Sequence, residues 1–377
     1  MTSTQLSIAS LEVFVVPLAV KSVRAHGIGS ISGDIEVVLL RLEDSAGHVG
    51  WGEAAPWAPF AGTPEAGFAA LDRYLSPIAL AGGDRPQMVD QANHALAGHS
   101  DAKAAFETAL LDLEGQILGK PIWALLGQKT RETVPLSISI ADPDWSRDLD
   151  LISRATDAGI KTFKFKAGFD THAFDLMRIE QTRDRFGDGL NLRLDYNQGL
   201  TPDQAMERVS DLDTLGLDFI EQPVRAKEWE AMATFQMASA TPLLADESVF
   251  DGFDLVRAVR DEIANAVSIK IMKAGGPAQG HALARNASNL GWRTYGGDMF
   301  ETGIAHLAGL HMIAASDDFA WGCEFYHANW HLKRDLLAER FPEENGAVVV
   351  PDMPGLGVAV DEDRIRQTAT NHARHTH

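Results

Sequence analysis

Apolar positions cluster along the first fifty residues in the manner of strands. Residues 7–18 are rich in Val, Leu and Ile, and 35–42 form a second apolar run. Residues 48–53 form a third, entered through the turn signal Asp44-Ser45-Ala46-Gly47. Between the first two lies the stretch 20–33, with three glycines, Arg24 and His26. It reads as a loop longer than most connections, and such loops are often functional lids. From 63 to 119 the period becomes helical. Residues 101–118 set Ala105, Ala109, Leu110, Leu113 and Ile117 at helical spacing, and Gly119 and Pro121 stop the helix. The N-terminal third therefore predicts an α+β unit.

From about residue 134 the rhythm changes. Short apolar strands are expected at 134–140, 162–167, 190–196, 217–222, 242–247, 266–272, 293–298 and 320–325. Helical stretches fall between them, for example 203–215 and 280–290. Strands alternating with helices at this spacing predict an α/β fold with a parallel (β/α)8-type barrel. A doubly wound open sheet is the competitor. The glycine-rich phosphate turn that would mark it is missing from Ile140-Ala141-Asp142-Pro143-Asp144.

Composition narrows the function. The chain has 377 residues, 33 basic and 53 acidic side chains and a net charge of −20. That balance excludes a protein held on nucleic acid by its overall charge, and a polybasic membrane anchor. No run of 18 apolar residues occurs and the N-terminus is polar, so a cytoplasmic protein is expected. The single Cys323 forms neither an intrachain disulfide nor a zinc knuckle. Lysine is scarce, 11 in all, yet five lie in two short segments: Lys161, Lys164 and Lys166, then Lys270 and Lys273.

In a barrel, catalytic side chains come from the C-terminal ends of several strands. The second strand places Lys164 and Lys166 on one face by its period of two. Asp195, Glu221 and Asp246 close the third, fourth and fifth strands, separated by 26 and 25 residues. The sixth carries Lys270. Three carboxylates on strands about 5 Å apart repel unless a cation joins them, and hard oxygen donors without Cys or His point to Mg²⁺. A lysine beside such a cation loses part of its affinity for a proton and can act as a base. The layout suits removal of the proton α to a carboxylate, the enediolate being stabilised by the metal. Lys164 is expected to act by charge and Lys166 as the base, while Lys161 and Lys273 read as surface or rim residues.

These residues resemble the enolase superfamily, and within it the muconate-lactonizing-enzyme subgroup. Lys164-Phe165-Lys166 is similar to the family's Lys-x-Lys, whose second lysine is an acid/base. Asp195, Glu221 and Asp246 are similar to its Mg²⁺ ligands. Lys270, in a segment ending Ala274-Gly275-Gly276, is similar to the opposing acid/base lysine. Asn197 and Glu247 resemble residues that support the ligands. The mandelate-racemase subgroup, with a His–Asp pair on strands six and seven, is not matched. The resemblance implies a modified (β/α)7β barrel at 131–344. It also implies a capping domain at 1–130, completed by the C-terminal tail from about 345 to 377, and a homo-oligomer. Capping loops at 20–33 and 51–62 would shape specificity, bringing Arg24, His26 and Trp57 to the substrate.

Substrate clues lie at the last two strands. Relatives often carry a small or apolar residue near Asp298, so this acid is a departure. Asp298, Glu301 and Glu324, with Tyr326, are expected to bind substrate, the acids holding an ammonium group. The expectation is a Mg²⁺-dependent enzyme for a small carboxylate substrate, with a cis-3-hydroxyproline dehydratase as first choice. An epimerase of an amino acid or proline betaine, and a muconate-type cycloisomerase using Arg24 and Lys21, are the alternatives. A barrel that only binds ligand would be expected to have lost a lysine or a metal ligand, and all six positions are filled. The tail, with His372, His375 and His377, reads as a frayed end.

Overall fold

The computed structural model describes residues 4–377. The N-terminal strands are β1 (Ile8–Leu18), β2 (Arg24–His26), β3 (Gly29–Ile31), β4 (Ile35–Asp44) and β5 (Val49–Ala54). A long helix, α1 (Ser100–Leu118), follows. The parallel strands are β6 (Ser137–Ile140), β7 (Thr162–Lys166), β8 (Asn191–Asp195), β9 (Ile220–Glu221), β10 (Leu243–Ala245), β11 (Ala266–Ile269) and β12 (Arg293–Gly296). Helices α2 (Gly303–Ala314) and α3 (Glu362–Thr368) and the last strand β13 (Asn371–Thr376) complete the elements that matter here.

β1, β4, β5 and β13 form one antiparallel sheet in the order β13-β1-β4-β5. Its apolar runs are nearly continuous because both faces are covered, and the period of two divides them. Val13, Val15, Val38 and Leu40 pack with Ala105, Phe106 and Ala109 of α1. Phe14, Val16, Val37 and Leu39 face the core that the barrel strands share. β5 lies so close to α1 that a Cβ at Gly52 would sit 1.8 Å from the Ala105 carbonyl oxygen, and one at Gly50 would sit 2.3 Å from that of Ala109. The two glycines and the alanine-rich helix face are one design.

The parallel strands follow sequence order, β12-β11-β10-β9-β8-β7-β6, and curl into a barrel. The expected eighth strand at 320–325 is reduced to a bridge at Cys323, which joins Leu136 on one side and Gly296 on the other. Ser137 N donates to Cys323 O at 2.7 Å and Glu324 N to Gly296 O at 3.0 Å, so the barrel closes. The fold is thus the expected TIM-like barrel with an α+β cap.

Three local expectations are corrected. The stretch 20–33 holds a small hairpin, β2 with β3, in register Arg24↔Ile31 and His26↔Gly29. The sixth strand stops at Ile269, and Ile271–Ala274 is a helical turn. The histidine-rich tail is not frayed: β13 pairs antiparallel with β1, and His372 and His375 meet Glu12 and Asp72. Among the described residues no helix is long and apolar enough to cross a membrane.

Candidate active site

Strand register builds the site. Lys166 pairs with Asp195, and Asp195 with Glu221, so the ends of β7, β8 and β9 lie level. Lys164 Nζ donates to Glu221 Oε2 at 2.9 Å and to Glu324 Oε1 at 2.8 Å, and lies 3.4 Å from Asp195 Oδ2. Lys166 Nζ donates to Asp195 Oδ2 at 2.6 Å. On the other side Lys270 Nζ donates to Asp246 Oδ2 at 2.7 Å. All of these groups are buried.

Lys273, expected at the rim, is buried as well. The helical turn after β11 swings it back to β10, where Nζ lies 2.9 Å from Asp246 Oδ1 and 2.7 Å from the Asp246 carbonyl. Asn197 supports the row from a left-handed backbone position, φ 43°, its N–H donating to Asp195 Oδ1 and its Nδ2 to Glu247 Oε1. Gln222, which the sequence did not single out, holds the Asp246 loop. Its Oε1 accepts from Asp246 N and Ser248 N.

The donor set fits a hard cation. Glu221 Oε1, Asn197 Oδ1 and Glu247 Oε2 are buried without a hydrogen-bond partner. Burial, together with the neighbouring carboxylates Asp195 and Asp246, pushes Glu221 and Glu247 up to about 8. Oxygen donors left unpaired in a crowd of carboxylates are what Mg²⁺ binds best.

A cavity opens beside this row. Lys166, Lys270, Asn197, Ser139, Arg24 and His26 line it, with Trp57, Asp298, Met299, Phe300, Tyr326 and His327. Arg24 lies over the Tyr326 ring at 5.5 Å, its Nη1 reaches Ser139 O at 3.4 Å, and its Nε has no partner. Trp57 stands edge-on to Phe300 at 5.5 Å between ring centroids. Of the acids expected to meet substrate, only Asp298 is on the cavity wall. Its Oδ2 lies 2.9 Å from His327 Nδ1 and 3.3 Å from His306 Nε2. Glu324 is taken up by Lys164, and Glu301 is buried 3.5 Å from His306. His306 gave no signal in the sequence because α2 is buried on every face, so no polar side marks it out.

A barrel with lysines and carboxylates arrayed at its strand ends, beneath an α+β cap, defines an acid/base enzyme of the TIM-barrel class. The chain belongs to the enolase superfamily. Residues 148–364 match the enolase C-terminal domain-like family, and residues 11–127 match the mandelate racemase / muconate lactonizing enzyme N-terminal domain. It is 31% identical to a chloromuconate cycloisomerase of Cupriavidus pinatubonensis, over 88% of this chain and 91% of that one. It is also 31% identical to an L-Ala-D/L-Glu epimerase of Bacillus subtilis, over 86% of this chain and 89% of the other. The structure of a muconate cycloisomerase from Azorhizobium caulinodans superimposes with a TM-score of 0.84 at 42% identity, covering 98% and 99% of the two chains. The protein is therefore an isomerase or lyase of this superfamily, whose members act on small carboxylates and typically use Mg²⁺.

Proposed function

We propose that the protein is a Mg²⁺-dependent cycloisomerase of a small unsaturated dicarboxylate of the muconate class. The observation that carries this reading is the cavity wall, where Lys166 and Lys270 share the space with Arg24, an arginine whose Nε is unpaired. A buried guanidinium with an unpaired Nε–H selects a carboxylate, and two ends must be held if the substrate is a dianion. The muconate and chloromuconate cycloisomerases among the relatives support the same substrate class.

Asp195, Glu221 and Asp246 would hold the ion, with Asn197 and Glu247 in support. Mg²⁺ supplies there the positive charge that stabilises an enediolate. Arg24 orients the second carboxylate. The C–O bond forms between that carboxylate and the distal alkene carbon, the π pair moves toward the α-carbon, and Lys166 Nζ delivers the proton. Lys164, locked among Glu221, Glu324 and Asp195, acts by charge alone. Lys270 faces the same cavity and fixes the electrostatics of the reacting carbon. His26, Trp57 and Phe300 exclude water around it.

A second reading is favoured by Asp298 on the cavity wall: an amino-acid substrate whose ammonium group this acid holds. The outcomes would be 2-epimerisation of an amino acid or proline betaine, or dehydration of cis-3-hydroxyproline. NMR in deuterated buffer decides between them. Incubation with cis,cis-muconate and with a panel of amino acids should give a lactone carrying one deuterium at its α-carbon, and no exchange of amino-acid α-protons. Exchange or elimination confined to the amino acids would overturn the cycloisomerase reading.

A further inference from the structure

Beyond β12, Asp298 meets two histidines that the proposed chemistry does not use. His306 projects from the first turn of α2, and His327 follows the Cys323 bridge. One ligand atom from each of the three lies within 4.8 Å of the others, and all three side chains are buried. Asp298 Oδ2 is 2.9 Å from His327 Nδ1 and 3.3 Å from His306 Nε2. Two metal bonds of about 2.0–2.1 Å at a tetrahedral angle set their ligand atoms about 3.3 Å apart; the Asp298–His306 separation matches that spacing, and the Asp298–His327 separation is shorter.

The contacts are not those of a finished hydrogen-bond network. His306 Nε2 is within hydrogen-bond reach of Asp298 Oδ2 at 3.3 Å, while His327 Nδ1, 2.9 Å from the same oxygen, makes no aligned hydrogen bond. His306 Nδ1 and Glu301 Oε1 are buried and unpartnered, and Glu301 Oε2 lies 3.5 Å from His306 Nε2. Asp298, Glu301 and Glu53 are all buried, and among the described residues no lysine or arginine forms an ion pair with any of them. A divalent cation at this point would take up the Asp298 charge, which only imidazoles face. The frame is rigid: Glu53 accepts from Thr302 N at 2.7 Å and from Ala305 N at 3.1 Å, which fixes the turn of α2 that bears His306.

We propose that Asp298, His306 and His327 form a second cation site, separate from the row of carboxylates, which takes Zn²⁺ or a similar transition ion. Two imidazoles and one carboxylate are softer than the all-oxygen set at the strand ends, so Mg²⁺ does not compete for it. Three protein ligands leave a coordination position open, and Asp298 and His327 both line the substrate cavity. The ion therefore presents that position to an oxygen of the substrate. This inference rests on the cycloisomerase reading, since an ammonium group held by Asp298 would take the same carboxylate.

The test uses the full chain, stripped of metal, in saturating Mg²⁺, with Co²⁺ as the probe. Gel filtration and elemental analysis should find about one equivalent of cobalt retained. Its visible spectrum should show the intense bands of a low-coordinate site with nitrogen donors, not the weak bands of an octahedral oxygen site. His306→Asn and His327→Asn should each lose the cobalt, while Asp195→Asn, in the carboxylate row, keeps it. No retention in the presence of Mg²⁺, or only the weak octahedral spectrum, would overturn the proposal whether or not the histidine variants fold. Retention by both folded histidine variants would overturn it equally.

Discussion

Lys166 and Lys270 stand on one cavity, held by different carboxylates, and that separation assigns them different fates on substitution. Lys166→Ala removes the group proposed to hand over the proton. The expected result is a fall in kcat of about 100- to 10,000-fold, with unchanged far-UV circular dichroism. Arg24→Ala should instead raise KM for a dicarboxylate more than it lowers kcat, because its contact is made to substrate and transition state alike. Equal losses of kcat in both variants would refute this division of labour. Lys273 tests a residue that the sequence misplaced. Lys273→Met deletes its contacts to Asp246 and leaves a buried carboxylate short of a partner, at a cost of about 1–3 kcal/mol. Thermal denaturation in EDTA should report that loss. The residues legible beforehand, Lys166, Asp195, Glu221, Asp246 and Lys270, sit at or next to strand ends, with Lys164 two residues back on the same face as Lys166, where a period of two and a strand–helix repeat locate them. Lys273, Gln222 and His306 were not legible. Their positions depend on a helical turn, a left-handed backbone step and a helix buried on all sides.

At the level of elements, the C-terminal tail shows what amphipathic pattern alone conceals. β13 is short, polar and at a sheet edge, so no apolar run announces it. Side chains fasten it and the preceding α3 to β1. Arg366 donates to both oxygens of Glu12, at 2.9 and 2.6 Å, and His372 lies 3.1 Å from the same carboxylate. The paired Arg366 guanidinium holds the Glu12 carboxyl down at about 2, against an ordinary value of 4.5. A carboxylate with a lowered folded-state value contributes stability that is fully present above its unfolded value and lost as pH falls toward the folded one. Glu12→Gln should therefore lower stability at neutral pH by about 1–2 kcal/mol, the partly exposed arginine being screened by solvent. The gap to the wild type should close between about pH 4.5 and pH 2, by thermal melts across that range. A gap that stays constant with pH would show that the clamp does not depend on charge.

Across the whole molecule, the seven strands and the Cys323 bridge curl so that buried acids from successive strands converge on one point. The net charge of −20 says little about this, since most of those acids are surface. What matters is that Asp195, Glu221, Asp246 and Glu247 are buried together, with Glu221 and Glu247 pushed up to about 8 by burial and by each other's neighbours. Strand order and the spacing of 26 and 25 residues made this convergence legible. The reduced eighth strand was not, because its role is carried by backbone hydrogen bonds at one residue. Folding brings these acids together, so an ion bound only by the folded chain must stabilise the fold as a unit. At 100 times its dissociation constant, Mg²⁺ should contribute about 2.7 kcal/mol. EDTA should thus lower Tm by about 5–10 °C, at about 2–4 °C per kcal/mol for a large domain, with Mg²⁺ restoring it. Glu221→Gln, which removes one charge and one ligand oxygen, should abolish most of that shift while raising the Tm of the metal-free protein. A Tm in EDTA equal to that in Mg²⁺ would mean that the carboxylate row holds no cation.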